Sequence, residues 1–347
     1  MKNQPGEAKS REHKPVATAA ASAFVFACLV VFVLGCNETS VPTMTDYGLG
    51  GMDPIRAEAF GIIRDGLADA YPQIRVNAIE VVATTNQTTL MRNVQHMLED
   101  DSMPVRFAAA VAIGDSEYSI ARTSVQRALR DRDANVVIAA SYAMGRLGYK
   151  EYFEVVRKAL LSDDQTVRAN AAFLLGRIGD ASAIELLNRT QQSTDSSDKV
   201  RFQALEARAQ LGDQQVLRKL WAIVYSGYSD DKIMGVRAMG ALGTQTARDI
   251  LVTKLDDDIL EVRLAVAEQL GKLGDTSGEP EVLGVFEKGV TAGLDEQARA
   301  RTNVLAALAI GQICTPPLTQ HLPKLMKNES KSVRLAAAKA VFLCQTK

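Results

Sequence analysis

The chain has 347 residues, with 40 Lys and Arg against 41 Asp and Glu and a formal net charge of −1. That balance excludes a protein built to coat nucleic acid, which carries a clear basic excess. Apolar residues make up 47% and charged residues 23%, which excludes disorder as the main state; aromatics are only 5%, so Ala and Leu carry the hydrophobicity, a composition suited to helix.

The first predicted element is an address rather than part of a fold. In residues 1–15, Lys2, Lys9, Arg11 and Lys14 outweigh Glu7 and Glu12; residues 16–35 hold no charge, and 23–35 are strongly apolar. A basic stretch followed by an apolar one is the pattern of a secretory signal. It ends at Val33-Leu34-Gly35-Cys36, which resembles the lipobox of bacterial lipoproteins: aliphatic residues, a small residue that opens the scissile bond to a peptidase, then a Cys whose thiol accepts a diacylglyceryl group. The resemblance implies a signal peptide over 1–35, lipidation (palmitate-type acyl chains) at Cys36, and a body exported to the cell envelope. A lipid anchor in the cell membrane or outer membrane would hold it facing the periplasm or exterior. The uncharged stretch of 20 residues is also long enough for an uncleaved signal anchor. Residues 36–53 are polar, contain Gly and lack periodicity. They read as the lipidated Cys and a flexible tether, which fully extended would span about 55 Å.

Removal of 1–35 takes four basic and two acidic residues and leaves 36 against 39, net −3. Cys28 leaves with the signal. Cys314 and Cys344 remain as an even pair that an oxidising compartment allows to bond. Each also ends an apolar helical stretch, so two buried free thiols are the alternative.

From residue 54 to 347 the chain is a repeat array. Anchored on the Arg of the string spanning 163–179, the units fall at Arg75, Arg106, Val137, Arg168, Arg201, Lys232, Arg263, Arg301 and Arg334, in steps of 31, 31, 31, 33, 31, 31, 38 and 33 residues. Six residues before the anchor stand Asp69, Asp100, Asp131, Asp195, Asp257 and Asp295, with Ser162, Ser226 and Asn328 in the other units. Gly recurs eight or eleven residues after the anchor, and the later one suits a helix C-cap. Val167, Ala171, Leu174, Leu175 and Ile178 follow helical spacing, and stretches such as 152–161 and 247–255 supply a preceding helix. Each unit therefore reads as a helical hairpin that must stack on its neighbours to bury its apolar face.

The Asp-x₅-Arg register and the V-R-x-x-A-A-x-x-L-G string resemble HEAT repeats, in particular the short repeats of phycobilin-lyase subunits. The resemblance covers the whole body. It implies an all-α, right-handed α-solenoid of about nine hairpins, on the order of 90 Å long at roughly 10 Å per layer. It also implies a structural ladder in which the Asp caps a helix and the Arg bridges to the next unit's turn: Asp69, Arg75, Asp100, Arg106, Arg168, Asp195, Arg201, Asp257, Arg263, Asp295, Arg301 and Arg334, with Val137 and Lys232 as breaks. A group repeated in every unit serves packing rather than chemistry.

Enzymes on this fold leave signatures that this chain lacks. There is no His-Glu dipeptide for a di-iron hydroxylase site, and the body has only His96 and His321, in distant units. No phosphate-binding, nucleophile-elbow, C-x-x-C or zincin motif is present. No cofactor, metal or nucleic acid is expected, and no catalysis. In HEAT arrays the second helices line the concave face; positions +2, +5 and +9 from the anchor form its stripe. There Tyr142 and Phe173 fall side by side with Arg146 and Arg177 about a turn on, an exposed aromatic–Arg patch suited to a protein or peptide partner. Trp221, Tyr225 and Tyr228 share one face of a first helix and read as core packing or a local turn. The expected function is a membrane-tethered scaffold or adaptor in the cell envelope. The alternatives are an accessory subunit of an envelope enzyme or assembly machine, and an enzyme of the lyase or hydroxylase type.

Overall fold

The computed structural model describes residues 53–345. The signal sequence, Cys36 and most of the tether lie outside the described residues. The described residues form nine helical hairpins and no strand. The first pairs α1 (Pro54–Leu67) with α2 (Pro72–Thr84), the second α3 (Met91–His96) with α4 (Met103–Asp115), and the third α5 (Arg122–Ala128) with α6 (Ala134–Arg146). The fourth pairs α7 (Phe153–Ala159) with α8 (Gln165–Ile178), the fifth α9 (Ile184–Gln192) with α10 (Asp198–Gln210), and the sixth α11 (Leu217–Val224) with α12 (Ser229–Leu242). The seventh pairs α13 (Gln245–Thr253) with α14 (Leu260–Lys272) and the eighth α15 (Glu279–Glu287) with α16 (Glu296–Ile313). In the ninth, the short α17 (Pro316–Thr319) and α18 (Leu322–Met326) precede α19 (Lys331–Cys344).

Local chemistry sets the ends of these helices. The Asp164 carboxylate accepts the N–H of Thr166 at 2.7 Å to open α8, and Gly179 closes it in the left-handed conformation, φ 77°. The second helices pack against one another through small residues. At Gly176 a Cβ would lie 3.0 Å from the Ala207 Cα of the next unit, so only Gly permits that approach. Ala109, Ala139, Ala171, Ala172, Ala204 and Ala238 are all fully buried along this layer.

This is an α-solenoid, but its two ends meet. Each second helix packs on the next, and α19 then packs on both α1 and α2. Phe60 and Phe342 belong to one continuous core, and the Arg56 guanidinium lies 5.7 Å from the centre of the Phe342 ring. Lys331 bonds Asp69 at 2.6 Å and Lys339 bonds Glu80 at 2.9 Å across the same seam. The expected open array about 90 Å long is therefore replaced by a closed ring. The physical reason is the burial available to the end units: an open array leaves one apolar face of its first and last hairpins in water, and closure covers both.

The ladder runs through this ring with corrections to its members. Arg75 holds Asp100 at 2.9 and 2.7 Å, and Arg106 holds Asp131 at 2.8 and 3.0 Å. Arg168 reaches Asp195 at 3.1 Å and also bonds the Ser162 carbonyl of its own turn. Lys232 is not a break, because its ammonium reaches both oxygens of Asp257 at 3.1 and 2.9 Å. Arg263 takes Glu281 at 2.7 Å in place of an Asp. Arg201 bonds Asp198 and the Ser193 carbonyl in its own unit, since the next turn offers only Ser226. Arg301 crosses to Asp230, two hairpins back, because Asn328 stands where its carboxylate would be. Arg334 meets only the Asn328 and Glu329 carbonyls, and Lys331 makes the seam rung to Asp69 instead.

The Asp members do not generally cap helices. Asp69, Asp100, Asp131 and Asp257 lie two residues before the cap position and accept the N–H of Tyr71, Ser102, Asp133 and Ile259 at 2.9–3.1 Å, folding the turn on itself. Only Asp295 among the ladder residues acts as an N-cap, bonding the N–H of Ala298 at 2.8 Å. Asp131 shows the resulting electrostatics: burial opposes its ionisation, but the Arg106 guanidinium and the Asp133 N–H hold it below the ordinary carboxylate range.

Cys314 and Cys344 form a disulfide with Cα atoms 5.1 Å apart, tying the end of α16 to the end of α19. Of the two alternatives open in the sequence, the described structure holds the bonded pair.

Candidate interaction surface

On the stripe expected to face a partner, Glu80, Glu206, Arg237 and Lys339, from the first, fifth, sixth and ninth hairpins, lie close enough to act on one another electrostatically, and Lys339 bonds Glu80 at 2.9 Å. Although burial opposes ionisation, Glu80 is held below the usual carboxylate range by Lys339, Arg237 and Arg177 around it. Burial raises Glu206, with Gln203, Arg237 and Lys272 working against it.

Tyr142 is not an exposed aromatic: it is 1% accessible. The reason is that α4 and α8 close over α6. Phe107 meets Phe173 with ring centres 6.5 Å apart, and Arg177 pairs with Asp115 above them. Beneath this bridge the Tyr142 hydroxyl donates to Asp115 at 2.5 Å. Burial and the Asp115 carboxylate push the Tyr142 phenol well above its ordinary value. Phe173 is half-buried under the Arg177 guanidinium, 5.4 Å from its ring centre, and Arg146 is taken by Glu117 at 2.8 Å. The four residues do come together, with Tyr142 and Arg177 both on Asp115 and Arg146 on Glu117, while the buried Arg146 Nε has no hydrogen-bond partner.

The exposed aromatics lie elsewhere. Trp221, Tyr225 and Tyr228 are 51%, 50% and 59% accessible, so of the two readings core packing is overturned and the local turn stands, with Tyr225 closing α11 and Tyr228 opening α12. Leu220 and Val224 fill the core stripe of α11 and are fully buried, which turns Trp221 and Tyr225 outward. That pair was the sequence signal: an i, i+4 aliphatic pair already supplied the buried face. Trp221 and Tyr225 stack with ring centres 5.0 Å apart. Tyr228 stands at the start of α12, on the rim of the ring where each first helix turns into its second. Tyr71 and Leu161 are exposed on that same rim.

Ammonium groups already sit on two of the rim tyrosines. Lys254 lies 3.7 Å from the centre of the Tyr225 ring and bonds Asp257 at 3.3 Å. Lys331 lies 5.3 Å from the centre of the Tyr71 ring and bonds Asp69. In each case a tyrosine face and a carboxylate hold one cation between them. Around Tyr228 the carboxylates are Asp230 and Asp231 on α12; Asp231 accepts the Ser226 hydroxyl at 2.9 Å.

Among the described residues, no group of three or more His, Cys, Asp or Glu is arranged to hold a metal ion, and no helix is long and apolar enough to cross a membrane. His321 stacks on Phe286 with ring centres 4.2 Å apart.

A search of curated proteins found no match. Among solved structures, human deoxyhypusine hydroxylase in complex with glycerol is 17% identical, with a TM-score of 0.37 over 76% of this chain and 98% of that one. The CpcE–CpcF complex of phycocyanin lyase from a Nostoc species is 18% identical, with a TM-score of 0.40 over 74% of this chain and 94% of that one. Residues 62–145 and 153–233 match the family described as HEAT repeats, a span that runs from within α1 to the start of α12.

Proposed function

We propose that this chain is an exported, membrane-tethered scaffold that binds a protein partner and performs no chemistry of its own. The observation that carries this is the exposed Trp221–Tyr225–Tyr228 cluster on the rim of a closed helical frame. Trp and Tyr dominate interaction hot spots because they offer large, rigid, partly polar contact area at low entropic cost. A solenoid closed on itself gives every hairpin two neighbours, which makes a stiff platform for such a cluster. The Cys314–Cys344 disulfide supports export, since disulfides persist in oxidising compartments. Topology supports presentation away from a membrane. The chain enters α1 at Asp53, at the end of the hairpin opposite the aromatic rim. A lipid on Cys36 would thus attach through a tether that joins the ring on the side opposite the aromatic rim.

The test is an affinity pull-down from detergent-solubilised membranes with the native chain, Cys36→Ser, and Trp221→Ala combined with Tyr228→Ala. The expected result is a stoichiometric protein partner with the native chain, release of Cys36→Ser from the membrane, and loss of the partner with the aromatic double variant. Retention of Cys36→Ser in membranes would replace the lipid by a spanning anchor. A partner kept by the double variant would remove the rim from the function.

A further inference from the structure

We infer that the ring binds an acidic polypeptide segment in a cavity between its eighth and ninth hairpins, beside the joint where the ladder loses its rung. The inference goes beyond the docking function proposed above and does not depend on the aromatic cluster. Where the ladder runs, a basic side chain of one hairpin reaches a carboxylate of the next, as Arg106 and Lys232 do. Between α16 and the turn before α19 both halves are gone. Asn328 stands in the carboxylate register, and its Oδ1 still accepts the Ser330 N–H at 2.9 Å, so the turn keeps its fold without its charge. Arg301 leaves for Asp230. Beside this joint lies a cavity of about 620 Å³, lined by Glu296, Arg299 and Asn303 of α16 and by Lys324, Lys327 and Glu329 opposite them.

Three cations line this cavity, and the side chains of Arg299, Lys324 and Lys327 make no hydrogen bond or ion pair among the described residues. No ion pair joins them to the two glutamates of the wall. Those glutamates sit at helix starts, Glu296 in the first turn of α16 and Glu329 just before the N-cap Ser330 of α19, where a carboxylate complements the helix dipole. The wall is thus net positive by one charge. The cavity has the volume of a small-ligand site, but Arg299, Lys324 and Lys327 are all exposed, so a ligand is met from one side while the rest of it stays in water. That suits acidic side chains of a polypeptide crossing the rim. A carboxylate from such a segment supplies the group that Asn328 omits, and its bonds to a guanidinium and two ammonium groups are of the strong, charge-assisted kind. The turn at Asn328 lies on the rim that carries Tyr228, since both mark the passage from a first helix to a second.

Isothermal titration calorimetry of the full chain in detergent tests this with a glutamate octamer, a lysine octamer, citrate, inorganic phosphate and phosphatidylglycerol vesicles. The glutamate octamer is expected to bind saturably at one site, more weakly as salt rises, and the other probes at least about tenfold more weakly or not at all. Lys324→Gln with Lys327→Gln should weaken the octamer about tenfold. Asn328→Asp, which returns the carboxylate to the register, should weaken it similarly while leaving Tm equal or higher. Arg130→Gln with Arg132→Gln removes two exposed cations from another turn of the same rim and should leave the affinity unchanged. Circular dichroism checks that each variant folds. Absence of saturable binding, an unchanged affinity in the Lys324 and Lys327 variant, or an equal loss in the Arg130 and Arg132 control would overturn the inference. Citrate, phosphate or vesicles binding as tightly as the octamer would replace the polypeptide by a free anion or a lipid surface and overturn it too. If the Trp221→Ala, Tyr228→Ala variant keeps its membrane partner while the octamer still binds as predicted, the aromatic rim fails and this site stands.

Discussion

Replacing Arg106 by Ala should show what the ladder contributes to the ring. Arg106 is 5% accessible and makes four hydrogen bonds: two to the Asp131 carboxylate, and two from Nη1 to the Asp100 and Asp101 carbonyls at 2.9 and 3.1 Å. Ala removes all four and leaves Asp131 facing a gap between hairpins with one N–H donor, that of Asp133, remaining. Removing one partner of a buried pair costs about 3–5 kcal/mol. Asp131 keeps some contact with water, so the lower end applies, about 3 kcal/mol. For a body of this size that lowers Tm by roughly 6 °C. Arg168→Ala is the internal comparison. Its carboxylate partner Asp195 is largely solvated, so the main loss there is the pair of bonds to the Ser162 carbonyl, and the Tm drop should be clearly smaller. Differential scanning calorimetry on the two variants at neutral pH measures both. Equal shifts, or no shift for Arg106→Ala, would refute the claim that burial of the rung, rather than the presence of an ion pair, sets its contribution.

Cys314→Ser with Cys344→Ser opens a disulfide spanning 30 residues and should cost about 3–4 kcal/mol, measured by denaturant unfolding; addition of a reductant to the double variant should then change nothing. Asp69, Asp131 and Asp257 are depressed in the folded ring, so their stabilising contribution is complete above the unfolded Asp value of about 4 and is lost as pH falls through their folded values. Thermal melts should therefore fall steeply below about pH 4, and a Tm independent of pH in that window would contradict the ladder electrostatics. Tyr142→Phe removes the hydroxyl bonded to Asp115 and should cost about 1 kcal/mol; in wild type, ultraviolet titration should show one tyrosine ionising well above the rest, absent from the variant.

The hairpin register was legible because Arg, Asp and Gly recur at fixed offsets, and a repeated packing need writes itself repeatedly into sequence. Closure was not, because it depends on the curvature accumulated over all nine joints and on contacts such as Lys339 with Glu80, 259 residues apart. The same long reach hid the fate of Tyr142. Its position on the stripe was readable, but the Phe107–Phe173 and Arg177–Asp115 contacts that cover it join hairpins two apart. The turn chemistry of Asp69, Asp100 and Asp131 was misplaced by two residues, since an Asp that folds a turn and one that caps a helix look alike until the helix start is known. At Trp221 the face was readable and its side was not; the buried Leu220–Val224 pair decides it. Lys232 kept its rung because reach and charge, not the guanidinium shape, are what Asp257 requires.

Closure of the ring brings the ninth hairpin against the first, and it can be measured directly. Zero-length carbodiimide coupling followed by peptide mass spectrometry of the monomer band should yield Asp69–Lys331 and Glu80–Lys339 linkages, since these pairs are 2.6 and 2.9 Å apart. An open solenoid, with its first and last hairpins apart, would give neither linkage within one chain.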